Sequence, residues 1–138
     1  MSVFLDACII IYRVETVAPF NTRFETLWRS LMSQGHGSEL AISRLTLLEC
    51  RVKPLRDGND ALLAKYDGFF TAGGITIVEL DAAVVDLATD LRARHGLRTP
   101  DALQAASCLV RQPEAPFVTA DSTFLRVKNL DVRLLDPI

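Results

Sequence analysis

Five short apolar runs punctuate this chain, and what separates them decides its architecture. Ser2-Val3-Phe4-Leu5, Leu40-Ala41-Ile42-Ser43, Ile75-Thr76-Ile77-Val78, Pro116-Phe117-Val118-Thr119 and Val132-Arg133-Leu134-Leu135 are too short for helices and read as strands. The stretches between them have helical spacing. Phe24, Leu27, Trp28, Leu31 and Met32 form one face of a helix that Asn21 is placed to cap, and Gln34-Gly35-His36-Gly37 breaks it. A further helix covers residues 46–53 and ends at Pro54; Leu62, Leu63, Tyr66, Phe69 and Phe70 mark another. Val84, Leu87, Ala88 and Leu91 lie between an Asp81 cap and a Gly96 stop, and a last helix takes Thr99 as cap and Pro100 in its first turn. Strands separated by helices need crossover connections, and crossovers build parallel sheets. The expected fold is α/β, a three-layer α/β/α sandwich around a four- to five-stranded parallel sheet. It is expected as a single domain over residues 1–138, with a short tail after Leu135.

Composition removes several classes of function. A chain of 138 residues, 49% hydrophobic and 23% charged, has the material for one well-filled core and is not disordered. Its longest apolar run, Ala7 to Tyr12, is far short of the roughly 20 residues of a membrane span. The N-terminus lacks the basic flank and cleavage site of a signal peptide, so a cytoplasmic protein is expected. Cys8, Cys50 and Cys108 form no C-x-x-C pair and read as small packed hydrophobes. His36 and His95 have no metalloprotease spacing, and His95 reads as a core residue. No phosphate-binding glycine loop is present. The net charge of -2 gives no overall steering towards nucleic acid, so an RNA partner would need a local basic patch.

In an open α/β sheet, ligands gather beyond the carboxyl ends of the strands. Asp6 follows the first strand directly, and Asp121 lies two residues beyond Thr119; the two are neighbours if their strands are adjacent. Glu49 is less expected. On a wheel stepping about 100° per residue, it flanks the stripe Leu45, Leu48 and Val52, which reads as the buried face. A carboxylate there costs several kcal/mol unless something compensates it. Asp101 opens a helix whose packing face is Ala102, Ala105, Ala106 and Leu109, small enough to lie close on the sheet. Each acid also has an ordinary use. Asp6 and Asp121 suit helix caps, Asp101 suits a helix start, and Glu49 has Arg51 and Lys53 nearby. If the four converge, the cluster either raises its pKa values or binds cations. Oxygen ligands favour Mg2+ or Mn2+ over zinc. Such ions activate water and stabilise a leaving oxygen at a phosphodiester. Thr119 and Ser43 are placed to support a carboxylate or a metal-held water. Removing any one of the repelling acids is expected to leave the metal-free fold as stable or more so.

These pieces together resemble the PIN-domain nucleases, and among them the VapC-type toxins of bacterial toxin–antitoxin pairs. Phe4-Leu5-Asp6-Ala7-Cys8-Ile9-Ile10-Ile11-Tyr12 resembles the opening strand, first acid and helix; Ser43-Arg44-Leu45-Thr46-Leu47-Leu48-Glu49 resembles the S-x-x-T-x-x-E stretch with the second acid. Pro100-Asp101-Ala102-Leu103-Gln104-Ala105-Ala106 resembles the third-acid helix, and Val118-Thr119-Ala120-Asp121-Ser122-Thr123-Phe124 the T-x-D-x-x-F end. The resemblance implies an Mg2+- or Mn2+-dependent endoribonuclease with Asp6, Glu49, Asp101 and Asp121 as catalytic residues and metal ligands. It implies tRNA or rRNA as substrate, arrest of translation, a homodimer and a cognate antitoxin protein. The other reading is a degenerate PIN module that binds RNA or a partner protein without cutting. Two positions depart from the family. Ala7 and Cys8 stand where a hydroxyl residue usually follows the first acid, and Thr123 stands where many members carry a further acid.

Overall fold

A computed structural model describes residues 2–37 and 39–135; the tail beyond Leu135 lies outside them. Five strands form one sheet: β1 (Ser2–Leu5), β2 (Glu39–Ser43), β3 (Ile75–Val78), β4 (Phe117–Thr119) and β5 (Val132–Leu134). Their order is β3-β2-β1-β4-β5, and every pairing is parallel. Six α-helices among the described residues connect them: α1 (Ala7–Val14), α2 (Phe20–Ser33), α3 (Arg44–Arg56), α4 (Asp60–Thr71), α5 (Ala82–His95) and α6 (Thr99–Arg111). A 3-10 turn over Ser122–Arg126 links β4 to β5.

The central strands β1 and β4 and the end of β2 are buried on both faces, and the period of two divides the core. Val3, Leu5, Ile42 and Val118 point to the side of α1, α2 and α4, where they meet Ile9, Ile10, Phe24, Leu31, Tyr66 and Phe70. Phe4, Ala41 and Phe117 point to the other side, against Val84, Ala88 and Leu91 of α5 and Ala102, Ala105 and Ala106 of α6. The sandwich therefore has the three layers expected. No helix among the described residues is long and apolar enough to cross a membrane.

Several local expectations are corrected. Asn21 does not cap α2: the helix starts at Phe20 behind Pro19, with no side-chain cap, and the Thr22 hydroxyl bonds the Pro19 carbonyl instead. α6 starts one residue early, at Thr99, with Arg98 extended at the cap; Pro100, lacking an N–H, fits its first turn. α3 is longer than the 46–53 span. Ser43 caps it, and Pro54 lies buried inside its last turn. The stripe Leu45, Leu48 and Val52, expected to be its buried face, is not the buried one. Leu48 is 59% exposed and Val52 46%, while Thr46, Leu47, Cys50 and Pro54 face inwards. His95 is half-buried at the end of α5 rather than packed in the core. The Asp81 cap and the left-handed Gly96 stop of α5 are as expected.

Candidate active site

Pairing of β1 with β4 brings the ends of the two acid-bearing strands together, and the Asp6 amide bonds the Val118 carbonyl at 3.0 Å. Thr119 joins the two acids. Its hydroxyl donates to Asp6 Oδ2 at 2.7 Å and accepts the Asp121 amide at 3.1 Å. Asp6 is 9% exposed. Its Oδ1 accepts the Ala7 amide at 2.8 Å, so it caps α1 as well. Burial pushes its carboxyl up to about 6 against the pull of the Thr119 and Ala7 bonds, and the charges of Glu49 and Asp101 push the same way. Glu49 and Asp101 are thus electrostatic neighbours of Asp6, although they arrive from α3 and α6.

The remaining acids each hold their own donor. Glu49 bonds neither Arg51 nor Lys53; its Oε1 accepts from Gln104 Nε2 at 2.9 Å. Asp101, its side chain 13% exposed, pairs with Arg98 at 3.2 Å, and the Arg98 side chain is 77% exposed. Asp121 caps the 3-10 turn by accepting the Thr123 amide at 2.9 Å. Hydrogen bonds from the Thr123 hydroxyl and amide hold its carboxyl below the usual range, and the charges of Arg98 and Arg126 assist. Asp121 therefore departs from the expectation that every acid here is repelled.

Among the described residues, Ser43 is hydrogen-bonded to no carboxylate. It caps α3 by accepting the Leu45 amide at 3.1 Å, and its hydroxyl meets that of Ser107 at 3.1 Å. The hydroxyl missing at Ala7 and Cys8 has two substitutes. Thr119 supplies one, and the Cys8 thiol lies 3.6 Å from Asp6 Oδ2. Burial pushes that thiol up to about 12, so it remains a neutral S–H donor.

Among the described residues, no three His, Cys, Asp or Glu side chains stand close enough together to hold a metal ion in this arrangement. Like charges explain this: each carboxylate turns to a private donor rather than to its neighbours. The donor set nonetheless fits a hard divalent ion. All its atoms are carboxylate oxygens, and the most buried acid has a hydroxyl, a thiol and an amide as partners but, among the described residues, no cation. Sequence reasoning missed Gln104, Arg98 and Arg126. Gln104 had a visible signal, being a polar residue one turn beyond Asp101 in an alanine-rich face.

A family model of the PIN domain matches residues 3–130. No curated protein matches the chain. Among solved structures, VapBC2 from Rickettsia felis, bound to a DNA fragment from its promoter, is similar at a TM-score of 0.75 and 20% identity, over 97% of this chain and 98% of that one. A toxin-antitoxin complex from Klebsiella pneumoniae is similar at 0.67 and 16% identity, over 99% of both chains. VapBC-5 of the VapBC family of toxin-antitoxin systems, from Mycobacterium tuberculosis, is similar at 0.62 and 18% identity, over 96% of both.

Proposed function

The chain belongs to the PIN-domain family, and from that premise we propose that it is a divalent-metal-dependent endoribonuclease, the toxin of a toxin–antitoxin pair. It acts in the cytoplasm on tRNA or rRNA and so stops translation. A cognate antitoxin protein and a second copy of the chain are its protein partners. The toxin reading draws support from solved structures of similar fold, one described as a toxin-antitoxin complex and another as a member of a family of toxin-antitoxin systems.

The observation that carries the nuclease reading is the state of Asp6. It is a buried carboxylate at a strand end, pushed up to about 6, within reach of two more acids and with no cation among its bonded partners. Such a site gains from a positive ion and loses by lacking one. Asp6, Glu49, Asp101 and Asp121 are the residues that would hold Mg2+ or Mn2+. The ion supplies polarisation of a phosphodiester oxygen and a lowered pKa for water. The chain's own groups do the rest. Thr119 orients Asp6 and, through the Asp121 amide, fixes the distance between two strand ends. Glu49 keeps one oxygen on Gln104, which leaves the other to take the proton of an attacking water. Arg98 and Arg126 bring positive charge beside Asp121 and are the groups placed to hold flanking phosphates.

The test is cleavage of a structured RNA by purified protein with Mn2+. We expect cleavage that EDTA abolishes and that Asp6→Asn lowers by about 100-fold or more. Cleavage that survives both treatments would overturn the reading. RNA binding with no cleavage under any metal would favour the non-catalytic module.

A further inference from the structure

Gln104 is not explained by packing. It is 1% exposed, on the inner side of α6, which also buries Ala102, Ala105, Ala106, Ser107 and Cys108. A primary amide in such a place is unfavourable unless both of its ends are bonded. Only one end is. Nε2 donates to Thr46 Oγ1 at 2.9 Å and to Glu49 Oε1 at 2.9 Å, while Oε1 is buried with no partner. Turning the amide over would set its carbonyl oxygen against a carboxylate oxygen. The orientation is therefore imposed by Glu49 as an acceptor, and the unsatisfied carbonyl is its consequence.

The surrounding seam shows what the bond achieves. Ser43, Thr46 and Glu49 recur every three residues along α3, and Asp101, Gln104 and Ser107 do so along α6. The stripes pass each other in opposite directions: Ser43 meets Ser107, Thr46 meets Gln104, and Gln104 reaches on to Glu49. Continued by one step, that register sets Glu49 beside Asp101, and the charges of both reach Asp6. Without a donor from α6, Glu49 would be free to swing to Lys53, one turn along its own helix. A lysine or arginine at 104 could hold it, but would cancel the negative charge that a cation needs.

We propose that Gln104 is the positioning residue of the acidic site, a neutral clamp that holds Glu49 towards Asp6 and Asp101 without neutralising it. The proposal rests on the nuclease reading, and its test separates the two. Gln104→Met keeps the volume and removes the donor. In that variant the affinity for Mn2+, measured without RNA by the paramagnetic resonance of the free ion, falls by about tenfold, and RNA cleavage falls at least as far. The melting temperature in EDTA stays within a few degrees, because an unsatisfied carbonyl leaves with the donor. On a Glu49→Ala background the same change costs nothing further in either readout. Thr46→Val, which loosens the clamp without touching Glu49, gives a smaller loss of Mn2+ affinity and covers the case in which Gln104→Met does not fold. Wild-type Mn2+ affinity in folded Gln104→Met, or in Thr46→Val if Gln104→Met does not fold, or losses that multiply on the Glu49→Ala background, overturns the clamp. A wild-type protein that binds Mn2+ and cuts no RNA sinks the nuclease reading while the affinity series still decides the clamp. One that binds no Mn2+ sinks both.

Discussion

Asp6 and Asp121 stand at adjacent strand ends and share Thr119, yet the fold treats their charges in opposite ways. Burial pushes Asp6 up to about 6 from an ordinary value near 3.8, so the folded chain holds that proton more tightly than the unfolded one. The stability it contributes is fully present below about pH 4 and is lost as pH rises through about 6. That difference in proton affinity is about 3 kcal/mol. In EDTA, Asp6→Asn should melt several degrees above the wild type at pH 7.5, and the gap should close by pH 4. Asparagine still caps α1, so helix loss does not confuse the comparison. Asp121 carries the other sign. Thr123 holds its carboxyl low, and the stability it lends is present above the unfolded pKa and lost on acidification. Asp121→Asn should therefore melt slightly below the wild type at pH 7.5, and a rise there would mean that repulsion dominates after all. The strand-end position of each acid was legible in the sequence, because a polar residue ending an apolar run has few places to go. Their partners were not. Nothing in spacing says that Glu49 would turn to a glutamine 55 positions away.

At the scale of elements, the strands and their parallel pairing were legible because buried strands leave continuous apolar runs. α3 was not. Its apolar residues occupy two faces, and a wheel cannot say which of them meets the core. The inner face is Leu47, Cys50 and Pro54; the outer one is Leu48, Val52 and Leu55, at 59%, 46% and 69% exposure, beside Leu45 and Leu80. An exposed apolar strip of that kind usually has a partner. Its rim carries both signs, with Arg44 paired to Glu79 and Arg51 near Asp67, so a second copy would meet no excess of like charge there. The homodimer we propose therefore closes over α3. Light scattering at micromolar concentration should report a dimer for the wild type and a monomer for the double variant Leu48→Glu, Leu55→Glu. Melting should change by no more than a few degrees, because neither side chain contributes to the monomer's core. A wild-type monomer, or a double variant that stays dimeric, would remove α3 from the interface.

For the molecule as a whole, net charge is a poor guide. A value of -2 predicts weak repulsion from RNA, yet charge acts over a Debye length of about 8 Å at physiological salt, not over the whole surface. What matters is the sign at the mouth of the site. There the two arginines that lower Asp121 stand on different elements, Arg98 ahead of α6 and Arg126 at the end of the 3-10 turn. Both are exposed, and Arg126 is tied only loosely, 3.5 Å from the Gly96 carbonyl. Both act on Asp121, so in the proposed nuclease they are the cations available to phosphates beside that acid. Each phosphate neutralised on single-stranded RNA adds about 0.7 to the slope of log affinity against log salt. Binding measured in EDTA, where no cleavage competes, should therefore lose about 0.7 of slope in Arg126→Ala. The Arg98→Ala variant should lose about as much, less whatever is returned by freeing Asp101. Arg111, paired with Asp81 at the far end of α6, is the matched control, and its alanine variant should keep the wild-type slope. Equal losses at all three positions would mean that RNA is held by diffuse charge and that the acidic pocket does not set where the strand lies.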